Sequence, residues 1–438
     1  MSDTQWNFLR GKSPSIVKAE GACLYTSEGK EIIDAAGGAI VCNIGHGRPR
    51  VAKAVQQATL ECSYVVPPWL TPSRESLIET LRKNWLPASL TRTHFTSGGS
   101  ESNEAAIKIA LHYQQAVGQT QRTKIIGRSI SYHGITLATA SISGHPKRKE
   151  GLENALPRFC EVATPYPLRC PLGGFHEDAG SYYANLLQEE IELQGPATVA
   201  AFLAEPITGS SGGAIVPPDG YWSKVKEICD RYGVVLIMDE VMTGFGRTGR
   251  NFGYQHWPIE PDILVGGKGL AGGYAPLGAV FATEKIGKAI ENAGFQVMFT
   301  TFGAHPAACA AATEVLKIIQ EEELVEHAKT KGEYLLNGLK DSLAQHPHLG
   351  EVRGRGLLVG VELVKDRDTL ELFPEELSIS NKIVGLGLEK GVFFYGGGTG
   401  EVRDLVCFGP SFTITESQLD QVIDTFVDCV NEITSNID

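Results

Sequence analysis

Two residues of this 438-residue chain suggest chemistry by their position alone. Lys268 closes the run "DILVGGK" and Asp239 closes "VVLIMD", each just past an apolar, strand-like segment and so on the same edge of a sheet. An aspartate after five apolar residues is costly to ionise unless a cation faces it, and a protonated ring nitrogen would serve. A lysine among glycines can approach a flat ligand. Partial burial beside other cations would lower its pKa below the ordinary value of about 10.4 and leave a nucleophilic amine. Taken alone, the two residues also fit a simple ion pair.

A second constellation is "TSGGSESNEAAIKIA" at 96–110. Ala105, Ala106, Ile109, Ala110 and Tyr113 form one apolar helical face, so a helix begins near Ser100. Its first N–H groups have no partner inside the helix, and Gly98 and Gly99 let a ligand's oxygens come close to the backbone. The segment reads as a phosphate cup, or by itself as an ordinary Gly-Ser helix cap. Three further motifs lack their required context. "GFGRTG" (244–249) and "GSSGG" (209–213) follow strands, but neither runs into the helix that a dinucleotide fold or a hydrolase elbow needs. In "VGGKGL" Gly269 stands where a P-loop needs Ser or Thr. A phosphate cup, a carboxylate for a ring nitrogen and a nucleophilic lysine are together what pyridoxal 5'-phosphate requires. Tyr132 in "SYHG" offers a face to stack on its ring, and Glu205 in "LAEPI" is a carboxylate at another strand end. As single residues these two also fit core packing and a solvated strand terminus.

The elements that would position these groups follow from the pattern. "CLYTSEGKEIIDA" reads as a hairpin near the start. From about residue 74, helical patterns such as "RESLIETLRKNW", "EAAIKIALHYQQA" and "YWSKVKEICDRYG" alternate with "KIIGR", "TVAAFLAEPI", "VVLIMDEV", "DILVGG" and "LGAVFAT". That alternation predicts a mostly parallel sheet with helices on both faces and ligands at the carboxyl ends of the strands. Long helical patterns after residue 305, then "VRGRGLLVGVELV" and a closing helix, predict a second, smaller α+β lobe.

Composition bounds the rest. At this length two lobes are the default. A net charge of −12, with no basic cluster longer than "HPKRK" (145–149), disfavours nucleic acid and anionic membranes as partners. Nine cysteines without a C-x-x-C pair fit reduced thiols better than disulfides or zinc. The beginning, "MSDTQWNFLRGKSPS", lacks a signal pattern, and no window suits a spanning helix. A cytoplasmic protein without a metal site is expected.

Six motifs in order, "SGGSESNEAA", "SYHG", "AEPI", "MDEVMTGFGRTG", "PDILVGGKGLAGGYAPLGA" and "TTFGAHPAACAAA", make nearly the whole chain resemble a class III aminotransferase, a pyridoxal-phosphate enzyme of fold type I. The resemblance implies a large domain over 65–310 and a small domain built from both ends, 1–64 and 311–438. It implies that Lys268 holds the cofactor covalently and later moves the proton, and that Asp239 keeps the ring nitrogen protonated. Gly99 and Ser100 match the phosphate cup, Tyr132 the stacking aromatic, Val241 the residue behind the opposite ring face, and Glu205 a glutamate on the substrate side. Thr301 matches a threonine that reaches the neighbouring subunit's cofactor phosphate, which implies a homodimer, or a dimer of dimers, with active sites at the interface. The glycines around Lys268 would then keep the approach of a flat cofactor clear.

One departure bears on the substrate. Members acting on α-amino acids carry an arginine in a segment like R-F-x-P-P-L-T-I-T. Aligned from Pro410 through "FTIT", that position reads as Val406, with Gly409 for the first proline and Arg403 three residues upstream. A displaced arginine resembles the ω-amino acid and amine:pyruvate branch, where a mobile arginine serves the keto acid and leaves room for an apolar amine. Arg403 is then the expected carboxylate-binding residue, and Trp69 in "SYVVPPWLTP" adds aromatic surface near the entrance. The expected activity is ping-pong amino transfer from a primary amine or ω-amino acid to a keto acid such as pyruvate. Alternatives with the same core motifs are a decarboxylase, an aminomutase or an epimerase, and more remotely a non-catalytic cofactor-binding scaffold.

Overall fold

The structure, a computed structural model, describes residues 14–296, 298–435 and 437. Most of the stretch "MSDTQWNFLRGKSPS" therefore lies outside the described residues. The chain opens with β1 (Ile16–Glu20), β2 (Cys23–Thr26) and β3 (Glu31–Asp34), where β2 and β3 form the expected antiparallel hairpin. The middle of the chain supplies β4 (Leu90–Thr96), β5 (Lys124–Arg128), β6 (Cys160–Val162), β7 (Val199–Ala204), β8 (Val235–Asp239), β9 (Ile263–Gly266) and β10 (Gly278–Thr283). The last strands are β11 (Leu349–Arg355), β12 (Leu358–Leu363), β13 (Val392–Phe393), β14 (Tyr395–Thr399) and β15 (Val402–Phe408).

The seven middle strands form one sheet in the order β4-β10-β9-β8-β7-β5-β6, parallel except for β10, which runs against β4 and β9. Both faces are covered, which is why β7 and residues 235–238 of β8 are apolar throughout instead of alternating. On one face Ala201, Leu203, Ile237 and Val265 pack with Ala106, Ile109 and Ala110 of the helix Gly99–Ala116. On the other, Phe202, Leu236, Met238 and Leu264 meet residues of the helices Ala179–Gln194 and Tyr221–Tyr232. β13 pairs with β3, so both chain ends contribute to one small sheet, and β11-β12-β15-β14 form a third. The closing helix Glu416–Thr434 starts at a capping box. Thr415 Oγ1 accepts from Gln418 N (3.2 Å) and Gln418 Oε1 accepts from Thr415 N (3.0 Å).

The third sheet is tied to the loop after β7 by Arg353 on β11. Its buried guanidinium donates to the carbonyls of Gly212 (2.6 Å) and Gly213 (2.9 Å) and pairs with Glu362 (2.7 Å) and Glu351 (2.9 Å). Removing one partner of such a buried pair costs about 3–5 kcal/mol, since the other charge is left unmatched. No helix among the described residues is long and apolar enough to cross a membrane, and all nine cysteines are free thiols.

Candidate active site

Parallel pairing sets Asp239 at the end of β8 beside Val265 of β9, and three residues further Lys268 turns back toward it with φ 39°. The carboxyl ends of β5, β7, β8 and β9 thus bring Tyr132, Glu205, Asp239 and Lys268 round one cavity of about 210 Å³. The amino end of the helix Gly99–Ala116 adds Gly99 and Ser100, and Val241 follows two residues after Asp239. Seven of the residues singled out in the sequence therefore share one cavity.

Asp239 is almost wholly shielded from solvent but well supplied with donors. Its Oδ2 accepts from Asn103 Nδ2 (2.7 Å) and lies 2.8 Å from His133 Nδ1, while Oδ1 accepts from the Val241 amide (3.0 Å). The two side chains and the Val241 amide fix the plane of the carboxyl group. Glu205 is also buried. Its Oε1 accepts from Gly209 N (2.8 Å) and its Oε2 from Tyr132 N (3.3 Å), and burial pushes its pKa upward. Lys268 faces the opposite balance: burial lowers its pKa to about 8, although Asp239 and Glu205 draw it up. A substantial share of the amine is then neutral near physiological pH, the form that attacks a carbonyl.

The cup is defined by space. A Cβ on Gly99 would come within 2.9 Å of Val241 Cγ1, and one on Gly134, whose φ is +140°, within 2.5 Å of Ser100 Oγ. Ser100 Oγ accepts from Ile135 N at 3.1 Å, which ties the loop after Tyr132 to the helix start. Free amide groups at a helix N-terminus over such a cradle suit a dianionic phosphate. The glycines around Lys268 have a different reason from the one expected. A Cβ on Gly266 would press on Phe245 (3.1 Å), and one on Gly269 on Asn43 Nδ2 (3.1 Å), so they serve the packing of the protein itself; Gly267 alone faces Val241 and Gly99.

Sequence reasoning passed over Asn103, His133, Gly134, Ser210 and Met242, which also line the cavity. Asn103 follows Gly99 by four residues and lies on the same helix face, a spacing that would have marked it. His133 stands next to Tyr132 within a quoted motif. Ser210 belongs to "GSSGG", set aside as a hydrolase signal.

Other expected residues lie elsewhere. Thr301 is exposed and lines a separate cavity with Ser97, Glu101 and Phe302. Trp69 is 67% exposed and does not line the Lys268 cavity. Arg403 is not in that cavity either, because its Nη2 donates to the Phe373 carbonyl (2.6 Å). Val406 is a correction as well. Strand alternation turns it into the core with Val359 and Val361, while Leu405 and Cys407 point the other way, and Cys407 lies within electrostatic range of Lys268. Counted back from Thr415 without a gap, "CFGPSFTIT" places Cys407 where the carboxylate-binding arginine would stand, and Ser411 replaces a proline.

The cavity's residues fit pyridoxal phosphate: the amino end of a helix at Gly99 and Ser100, a buried carboxyl group held by donors, and an amine of lowered pKa. Comparisons agree with that chemistry. The sequence model of the family described as Aminotransferase class-III matches residues 10–430. A putrescine–pyruvate aminotransferase of Pseudomonas aeruginosa is 33% identical over 437 residues, covering 99% of this chain and 94% of the relative. The crystal structure of a thermostable (S)-enantioselective omega-transaminase from Thermomicrobium roseum superposes with a TM-score of 0.92 at 36% identity, over 99% of this chain and 96% of that one. The omega transaminase of Pseudomonas jessenii in complex with PMP gives 0.91 at 33% identity, over 97% and 93%.

Proposed function

The chain belongs to the class III aminotransferases, pyridoxal-phosphate enzymes of fold type I that transfer an amino group to a keto acid, and on that premise we propose a primary amine or ω-amino acid as its donor and pyruvate as its acceptor. The observation that carries the donor reading is the uncharged Cys407, buried and within electrostatic range of Lys268, at the sequence position where an α-carboxylate clamp would need a fixed arginine. A buried, unpaired guanidinium there would oppose an apolar amine; a thiol, whose pKa burial raises to about 12, stays neutral and does not.

When bound, the cofactor supplies an aldehyde carbon for the donor's nitrogen and a ring that accepts electrons as the donor's C–H bond breaks. Lys268 would hold the cofactor through Nζ and, with that amine free, would serve as the base that carries the proton lost from the donor's C–H bond. Asp239 keeps a proton on the ring nitrogen, with Asn103 and His133 positioning its Oδ2. Gly99 and Ser100 would bind the phosphate, and Tyr132 and Val241 would pack against the ring. Glu205 stands on the donor side. The two half-reactions share one cavity, which supports a ping-pong order.

Thr301 and Trp69 find their roles across a subunit boundary. Tyr64, Trp69, Leu70, Phe299 and Phe302 are large, exposed and apolar, and Tyr64 and Phe302 are in edge-on contact at 6.1 Å. A patch of this kind around Thr301 supports a homodimer, or a pair of dimers, in which Thr301 reaches the partner's phosphate and Trp69 the partner's entrance. The pairing of β13 with β3 supports domains over 1–64 with 311–438 and over 65–310. Nine free thiols support a cytoplasmic site of action.

Alanine formation from pyruvate tests the substrate reading. Carboxylate-free primary amines and ω-amino acids should donate faster than ornithine or other α-amino acids; donation by α-amino acids alone would overturn it.

A further inference from the structure

Glu205 is only 4% exposed, follows a strand that is apolar throughout, and lines the Lys268 cavity. Burial favours its neutral form, so a cation must stand by it if it is to meet a donor as an anion. The charged and titratable groups facing it are His133, Arg128 and Asp239, with Lys268 on the same cavity. His133 is taken up by Asp239 Oδ2 (2.8 Å), and Lys268 is the residue assigned to hold the cofactor. Arg128 is the cation that remains.

Three arginines are buried among the described residues, and two of them are well matched. Arg353 is paired with Glu362 and Glu351, and Arg247 donates to the carbonyls of Leu357 (3.0 Å), Pro410 (2.6 Å) and Cys42 (3.2 Å). Arg128, at the end of β5, differs from both. Its Nη2 donates to the Glu205 carbonyl (2.6 Å), while its buried Nε and Nη1 have no hydrogen-bond partner among the described residues. Beside it stand Trp222, whose ring centre is 5.8 Å from the guanidinium, and Tyr221, whose hydroxyl its charge reaches. Trp222 Nε1 in turn donates to the Pro206 carbonyl (3.0 Å), so two successive carbonyls after β7 are held by an arginine and the indole next to it. On the cavity side the Glu205 carboxyl accepts from Gly209 N (2.8 Å) and Tyr132 N (3.3 Å). A buried guanidinium with so few partners is costly to the fold, and in so apolar a setting its charge acts on Glu205 with little screening.

We propose that Arg128 is a positioning residue for amino transfer: bound to the main chain of Glu205, its guanidinium anchors the turn after β7 and supplies the counter-charge that lets the Glu205 carboxyl face the donor as an anion. A primary amine arrives near neutral pH as an ammonium ion, and an anionic carboxyl receives it with a charge-assisted hydrogen bond, stronger than a neutral carboxyl offers. Arg128 acts through Glu205 and does not itself meet the substrate. The proposal rests on a primary amine as donor.

The test compares Arg128→Met, Arg128→Lys, Glu205→Gln and the double variant Arg128→Met/Glu205→Gln with the parent, all as holoenzymes. The infrared band of the protonated Glu205 carboxyl, identified by its loss in Glu205→Gln, is followed against pH. Its midpoint should rise by about one pH unit or more in Arg128→Met and by under about half a unit in Arg128→Lys, which keeps the charge. Between the two midpoints the KM of benzylamine should rise about tenfold in Arg128→Met, but by less than about threefold when the same change is made in Glu205→Gln. An unchanged midpoint in Arg128→Met, or an equal KM rise with and without the Glu205 carboxyl, would overturn the proposal and leave Arg128 as a packing residue. If Arg128→Met does not fold, Arg128→Lys carries the comparison: a KM rise that disappears in Glu205→Gln upholds the role, and one that persists there removes it. If no primary amine yields alanine from pyruvate in the parent, the donor reading is wrong, and the infrared midpoint alone then decides for or against Arg128.

Discussion

His133 Nδ1 lies 2.8 Å from Asp239 Oδ2, with both side chains shielded from solvent. Asn103 Nδ2 reaches the same oxygen at 2.7 Å, so one carboxylate oxygen is held by two side chains and the other by the main chain of Val241. The carboxylate has little freedom left to turn.

Asp239→Asn should lower kcat by on the order of 100-fold or more, because an amide cannot hold a proton on the ring nitrogen as a carboxylate does. His133→Phe removes one of two donors to Oδ2 and should cost about tenfold, with the alkaline limb of the rate profile moved to lower pH. Steady-state rates between pH 6 and 10 decide this. Turnover of Asp239→Asn within a few-fold of the parent would remove the ring-nitrogen role.

The lowered pKa of Lys268, about 8, sets the pH dependence of cofactor uptake by the apo protein. The neutral amine is the reacting form, so the covalent uptake rate should rise by about tenfold per pH unit below 8 and level off above it. The same shift favours the folded apo protein as pH rises from about 8 toward the ordinary lysine value of 10.5, since in that window the unfolded chain binds the proton and the folded chain does not. Stopped-flow absorbance at constant ionic strength measures the first effect; an uptake rate independent of pH between 6 and 9 would contradict it.

Thr301→Ala should weaken cofactor retention by about tenfold, the loss of a hydrogen bond to a charged phosphate. Because Thr301 lies outside its own chain's Lys268 cavity, parent activity should fall as dimers dissociate on dilution. Sedimentation beside activity checks this, and a fully active monomer would exclude the shared site.

The centre of the site was legible because strand-end residues after a run of buried apolar ones have one place to go. Val234 to Met238 and Ile263 to Val265 determine where Asp239 and Lys268 emerge, and the Ala-rich helix face fixes where the cup begins. What eluded the sequence was whatever depended on register or on distant contacts. Val406 and Cys407 differ by one position, and on a strand one position is the opposite face. Arg403 lies on the same strand as Cys407, but a carbonyl 30 residues earlier in the chain, at Phe373, holds it. Within "HPKRK" the lysine at 147 is paired and the arginine at 148 lies on an aromatic ring, a difference that composition does not carry. Thr301 and Trp69 face outward, and a single chain's pattern says nothing of what they meet.

Borohydride reduction of the purified, yellow holoenzyme, followed by peptide mapping, tests the role of Lys268 most directly. One labelled peptide is expected, the one spanning Lys268, with the mass of the reduced cofactor added. No covalent label is expected in Lys268→Ala, with turnover lower by roughly a thousandfold or more. A label on another lysine, or near-parent turnover in Lys268→Ala, would contradict it.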